Sequence, residues 1–372
     1  MTFPVFLLCK LKGHAMKCRF PFLFLTVSVL LIEGAQAQAQ SAAPEPKTSV
    51  EWLQRADDQM SLRMPGAAPF HMKVTFHAFP GNELLRKKEQ PQIIVGDGAY
   101  DETWLAPHKW RREVTFAGYH AIEVESETGR KMQVSSDYEP SRVLMLLSAL
   151  LKPIPRVIIS EEFRSEREPG FKIEHLVMGN VSLVRLSKTT GMALINVNES
   201  YYFLPNGLLA LENLSGLITS WGDDVIFAGK IVPRHISLKT GERELVSADV
   251  AIEDADPNVP LSLDLPVGLA EPGMTLRPIQ DSAHKSPQML SDAVAWDNNA
   301  YSDMSIWGIV DRSGHYREVE LLLGVNANGN DYPMNEIRKL RWRPAEIDGS
   351  PCEAVAFIEH MSKPYSPLIT SH

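Results

Sequence analysis

Hydrophobic and polar residues alternate with a period of two along much of this chain. In "FHMKVTFHAF" (70–79), Met72, Val74 and Phe76 fall on one side, and His71, Lys73, Thr75 and His77 on the other. That is the pattern of a strand with one buried face. "AYDETWLA", "KWRREVTFAGYHAIEVES" and "GRKMQVSSD" continue it, broken at Pro107, Gly118 and Gly129. Strand texture returns in "LVRLSK", "YYFLPNGLLALEN", "IVPRHISLK" and "ELVSADVAIED", with Asn206-Gly207 as a hairpin signal. "VGDG" (95–98) is expected to be a turn, because more strand follows it rather than a helix that could cradle phosphate.

Two segments have a different period. "TSVEWLQRADDQMSL" predicts an amphipathic helix capped at Ser49, with Val50, Leu53 and Met60 apolar and Trp52 beside them. "SRVLMLLSALLKPIP" is nearly all apolar and rich in Leu, so it predicts a short buried helix stopped by Pro153 and Pro155. Prolines 257, 260, 266, 272, 278 and 287 then punctuate residues 256–290, which are expected to be a linker that cannot continue a sheet.

Beyond the linker, "SIWGIVDRSGHYREVELLLG" predicts a hairpin turning at Asp311–Gly314, with Val319, Leu321 and Leu323 on one face. Met334, Ile337 and Leu340 form a helical stripe opposite Arg338, Lys339 and Arg341. Pro344 holds Arg343 extended and ends that helix, Asp348-Gly349 turns the chain, and "AVAFIE" closes the unit as a strand. The expected fold class is mainly β plus α+β: an antiparallel half-barrel-like sheet with helices, then a small ββαβ unit. The expected boundaries are 48–255 for the first unit, 256–290 for the linker, 291–362 for the second and 363–372 for a tail.

Composition narrows the function classes. The chain has 372 residues, 44% of them hydrophobic and 22% charged, and a net charge of -9. That is globular and unsuited to electrostatic binding of nucleic acid, and Arg86-Lys87-Lys88 reads as a solvated loop. Met16–Arg19 followed by the apolar Phe20–Ile32 and "GAQAQAQ" resembles a signal peptide over residues 1–39, with the start at Met16. The expected location is the periplasm or the outer-membrane surface; the alternative is an uncleaved inner-membrane anchor. Of three cysteines only Cys352 follows that segment, so neither a disulfide nor a cysteine metal site is expected.

No nucleophile elbow, zinc helix or phosphate loop is present, and neither cofactor nor metal is expected. His71 and His77 would lie about 20 Å apart on a strand, too far for one metal. Glu161-Glu162 and Asp223-Asp224 read as loop charges, and His315 as solvent-facing.

The C-terminal unit resembles the C-terminal domain of TonB-type energy transducers. The matching residues are Gly308-Ile309-Val310, Ser313-Gly314, Trp342-Arg343-Pro344-Ala345, Asp348-Gly349 and Ala354–Glu359. The resemblance implies a module core of Trp342, Pro344, Asp348 and Gly349. It also implies partner docking by strand addition along Ala354, Val355, Ala356, Phe357, Ile358 and Glu359, onto an outer-membrane receptor or another envelope protein. The element order of residues 48–255 resembles the outer-membrane lipoprotein carrier family, which implies a helix-lined concave face for lipid or lipoprotein acyl chains. Val143, Leu144, Leu146, Leu147 and Leu150 are the candidate contacts. The expected function is thus a non-enzymatic envelope binding protein. The alternatives are a TonB-type transducer, which the absence of a His in Phe20–Ile32 disfavours, and an unrecognised hydrolase.

Overall fold

The computed structural model describes residues 44–81, 93–135, 139–151, 153–154, 170–192, 195–214, 216–258, 260–263, 275–276, 287–290, 304–323, 340–347 and 349–360. The expected signal segment, the Arg86-Lys87-Lys88 and Glu161-Glu162 clusters, the C-terminal helix except Leu340 and Arg341, Asp348 and the tail 363–372 lie outside them. Among the described residues no helix is long and apolar enough to cross a membrane.

Helix α1 (Ser49–Met60) opens the first unit. Its cap is Thr48 rather than Ser49. Thr48 Oγ1 accepts from Glu51 N–H while the Glu51 carboxylate accepts from Thr48 N–H, a reciprocal box that Ser49 has no acidic residue three positions on to complete. Trp52, Leu53, Ala56 and Met60 are buried.

The strands follow in order: β1 (Phe70–Ala78), β2 (Gly96–Ala106), β3 (Lys109–Phe116), β4 (Tyr119–Ser126) and β5 (Gly129–Val134). After helix α2 (Ser141–Leu151) come β6 (Lys172–Met178), β7 (Val181–Met192), β8 (Ile195–Phe203), β9 (Leu209–Leu214) and β10 (Leu217–Gly222). A small hairpin, β11 (Val225–Phe227) and β12 (Lys230–Val232), precedes β13 (His235–Thr240) and β14 (Arg243–Asp254). Twelve of these build one antiparallel sheet in the order β5-β4-β3-β2-β1-β14-β13-β10-β9-β8-β7-β6. The sheet is open, with β5 and β6 as its edges.

The expected alternation in β1 is present: Met72, Val74 and Phe76 are buried, whereas Lys73, Thr75 and His77 are exposed. "VGDG" is not a turn. Gly96 and Gly98 begin β2, and Gly98 pairs with Phe76, whose ring lies 2.2 Å from where a Cβ would sit. Asn206-Gly207 does turn β8 into β9, with Gly207 N–H donating to Leu204 O.

One face of the sheet is covered. Trp52 of α1 meets Phe203 at 5.5 Å between ring centroids, and Phe227 of the small hairpin meets Phe70 edge-on. Helix α2 joins the two edge strands yet packs over β13 and β14 at mid-sheet. Trp221 Nε1 of β10 donates to Ala149 O within it.

The C-terminal sheet is built from β15 (Thr275–Leu276), β17 (Met304–Val310), β18 (Tyr316–Leu323) and β21 (Ser350–His360), in the order β15-β21-β17-β18. Between β15 and β17 lies β16 (Gln288–Met289), which pairs with β19 (Trp342–Arg343), and β20 (Ala345–Ile347) pairs with the start of β21. Two expectations are corrected here. The 256–290 segment does contribute to sheets, through the two-residue strands β15 and β16, which are short enough to fit between prolines. Trp342 and Arg343 lie on a strand rather than at a helix end. The Asp311–Gly314 turn is as expected, with Asp311 Oδ1 accepting from the N–H groups of Ser313 and His315.

Candidate functional site

The covered face of the large sheet gathers the candidate ligand contacts. Every residue of α2 except Ser148 is buried. Val143, Leu144, Leu146, Leu147 and Leu150 all join the core shared with β1, β13 and β14. What meets them is protein from the far end of the chain. Trp307 and Ile309 of β17 and Leu322 of β18 belong to the same core, and Val355 and Phe357 of β21 pack against it. Residues of both sheets therefore share one core with α2, and β21 also lies against β8.

Polar contacts fix this closure. Arg142 in the first turn of α2 makes a two-pronged ion pair with Glu320 of β18, Nη1–Oε2 2.6 Å and Nη2–Oε1 3.2 Å, and both side chains are 0% exposed. Arg142 Nε also donates to Phe79 O. Ser141 N–H, one of the unpaired donors at the start of α2, donates to Glu318 Oε2 at 2.9 Å. Glu318 has φ 47, in the left-handed region, at a bulge where the pairing of β17 with β18 slips between Trp307 and Ile309. The bulge puts the carboxylates of both Glu318 and Glu320 on the α2 side, where the helix dipole favours negative charge. Gly81 presses on the ion pair so closely that a Cβ there would lie 1.8 Å from Glu320 Oε1. Thr240 Oγ1, at the end of β13, donates to Leu322 O.

The TonB-like positions are placed as follows. Trp342 is buried beside Tyr316, with centroids 5.5 Å apart, and its backbone N–H donates to Gly314 O. Pro344 is half-buried, and Gly349 turns β20 into β21 at φ 79. Ala354 through Glu359 pair with β17 along one side. On the other side β15 pairs only with Glu353 and Ala354 and β20 with Ser350–Cys352, so among the described residues no strand is hydrogen-bonded to Val355–Glu359 there, although β8 of the large sheet lies against β21. Ala356 and Ile358 face the small core, and Val355 and Phe357 face α2's core. The Cys352 thiol is buried, which pushes it up to about 11, away from thiolate chemistry.

Sequence reasoning missed the charge on the covered face. Glu102 of β2 pairs in register with Arg112 of β3, and Arg112 with Glu123 of β4. All three are buried. Glu102 accepts two bonds from Arg63 Nε (2.9 and 3.1 Å) and one from Tyr100 Oη (2.7 Å). Burial alone would raise the Glu102 carboxyl, but Arg63 and Arg112 outweigh it and hold the group below its ordinary value. Glu123 is shared between Arg112 and Arg130. The signal was available in "KWRREVTF": Trp110, Arg112, Val114 and Phe116 share one strand face, so an Arg stands inside an apolar row.

A second polar group lies on β8 and β9. Tyr201 Oη donates to Glu199, and burial, then the Glu199 charge, push Glu212 up to about 8. On the outer face, His71 reaches Asp101 and Glu253, and His77 reaches Asp97. Among the described residues no cluster of three His, Cys, Asp or Glu could hold a metal ion.

No protein-family model and no curated protein matches this sequence. Among solved structures, a LolA-superfamily protein from Nitrosomonas europaea aligns with 10% identity and a TM-score of 0.31, covering 57% of this chain and 95% of that one. LprF from Mycobacterium bovis aligns with 9% identity and a TM-score of 0.17, covering 61% and 100%.

Proposed function

We propose that this chain is an exported, non-enzymatic binding protein of the cell envelope that holds apolar cargo, a lipid or lipoprotein acyl chain, on the covered face of its open sheet. The observation that carries the reading is α2: an almost wholly apolar helix laid across an open antiparallel sheet and buried in a core that the C-terminal sheet shares. Burying apolar surface is the driving force available to such a face, at about 25 cal/mol per Å². Cargo would bind by taking over apolar contacts that the C-terminal sheet now makes.

That sheet is the docking unit of the proposal. The flank of β21 from Val355 to Glu359 is where an extended segment of an envelope partner would add as a strand, the backbone supplying affinity and alternate side chains specificity.

Native mass spectrometry of the full chain, purified gently from the cell envelope, tests the cargo reading. An apolar adduct that is lost on organic extraction is expected; a ligand-free mass from lipid-replete membranes would sink it. For docking, Phe357→Pro should abolish partner capture while the first unit stays folded, and undiminished capture would remove strand addition.

A further inference from the structure

We infer that Arg112 is the anchor for the oxyanion headgroup of an amphiphile, a long-chain carboxylate or alkyl phosphate. The inference rests on the apolar-cargo reading and names the part of the cargo that reading leaves open.

The argument starts from unmet hydrogen bonds. Arg112 is 7% exposed on the covered face, between Trp110 and Val114 in the inner row of β3. Its guanidinium lies over the Trp110 ring, 4.2 Å from the centroid. Nε comes within 2.5 Å of Glu123 Oε2 but is misaligned, and it has no hydrogen-bond partner. Among the described residues no acceptor bonds its two terminal nitrogens. Both neighbouring carboxylates are committed elsewhere: Glu102 to Arg63 and Tyr100, Glu123 to Arg130 as well. Of the guanidinium nitrogens only Nε is fully buried without a partner, so the terminal pair faces accessible space, and its fork of N–H groups fits a carboxylate or phosphate bidentately.

The surroundings choose the rest of the ligand. Trp110, Val114 and Phe116 are apolar and buried along the same row, with Tyr119 and Val134 in the same core. A free inorganic anion would leave that wall without a partner, and a neutral alkyl chain would leave the terminal N–H groups of Arg112 without an acceptor. An amphiphile satisfies both.

The test titrates palmitate, hexadecanol, dodecyl phosphate and inorganic phosphate into the full chain, by calorimetry and tryptophan fluorescence. Palmitate is expected to bind at least about tenfold more tightly than hexadecanol, charge-assisted bonds being the stronger kind. Arg112→Met should erase that preference, and Arg112→Lys, which keeps charge without the fork, should restore part of it. Circular dichroism melts confirm that each variant is folded. Equal binding of palmitate and hexadecanol, or a preference that survives in R112M, overturns the anchor and leaves the cargo reading standing. Inorganic phosphate binding as tightly as dodecyl phosphate overturns the amphiphile in favour of a free oxyanion. Failure of every long-chain probe removes the cargo reading and this inference together.

Discussion

Arg142 and Glu320 lie 178 positions apart in sequence, and each is the other's counter-charge at 0% exposure. Removing one partner leaves a buried ion uncompensated, so Glu320→Ala should cost about 3–5 kcal/mol in denaturant melts. The double variant Arg142→Met with Glu320→Leu should recover most of that loss; if it does not, the pair contributes more than mutual neutralisation. Two other carboxyls respond to pH in opposite directions. Glu212 holds its proton more tightly in the folded chain, so its effect is absent at low pH, and stability is lost as pH rises from 4.5 towards about 8. Glu212→Gln should therefore raise Tm at pH 8 and leave it unchanged at pH 4. Glu102, held below its ordinary value, contributes stability above that value that is lost on acidification.

At the scale of elements, α2 is where sequence and structure agree most closely and also where they part. Its apolar run and closing prolines announced a buried helix, because no amphipathic stripe can be drawn on "VLMLLSALL". What buries it could not be read. Its cover comes from β17, β18 and β21, elements whose own periodicity shows only that they are strands. The cap is as non-local: no residue just before Ser141 announces Glu318, which depends on a bulge and a left-handed φ. Arg112 was legible in principle, since strict alternation puts it inward, but an Arg in a strand is ordinarily assigned to solvent. The short strands β15 and β16 escaped because proline spacing excludes long strands and says nothing about two-residue ones. Two measurements follow at this scale. Leu147→Ala should cost about 2–5 kcal/mol through the cavity it opens. Glu318→Gln should cost about 0.5–2 kcal/mol by weakening the helix cap, read as earlier amide exchange in the first turn of α2.

Across the whole molecule, two sheets separated in sequence by a proline-rich stretch share one core through Trp307, Ile309 and Leu322. A pair of tethered, independent units would melt separately. A shared core with buried ionic contacts predicts one cooperative transition, with near-ultraviolet and far-ultraviolet circular dichroism coinciding. Two resolved transitions would mean that the sheets part before either unfolds, and the shared core would then be a minor contribution to stability.

The reach of the Arg142–Glu320 pair also governs how the gene can be cut. A stop codon between β14 and β18 produces a chain in which all twelve strands of the large sheet and both helices are intact on paper. Yet that chain lacks the Glu320 carboxylate that neutralises Arg142, the Glu318 carboxylate that accepts from Ser141 N–H, and the strands that cover α2. Such a fragment is a different molecule from the corresponding part of the whole. An isolated first half therefore shows to water an apolar helix that the whole chain keeps in its core.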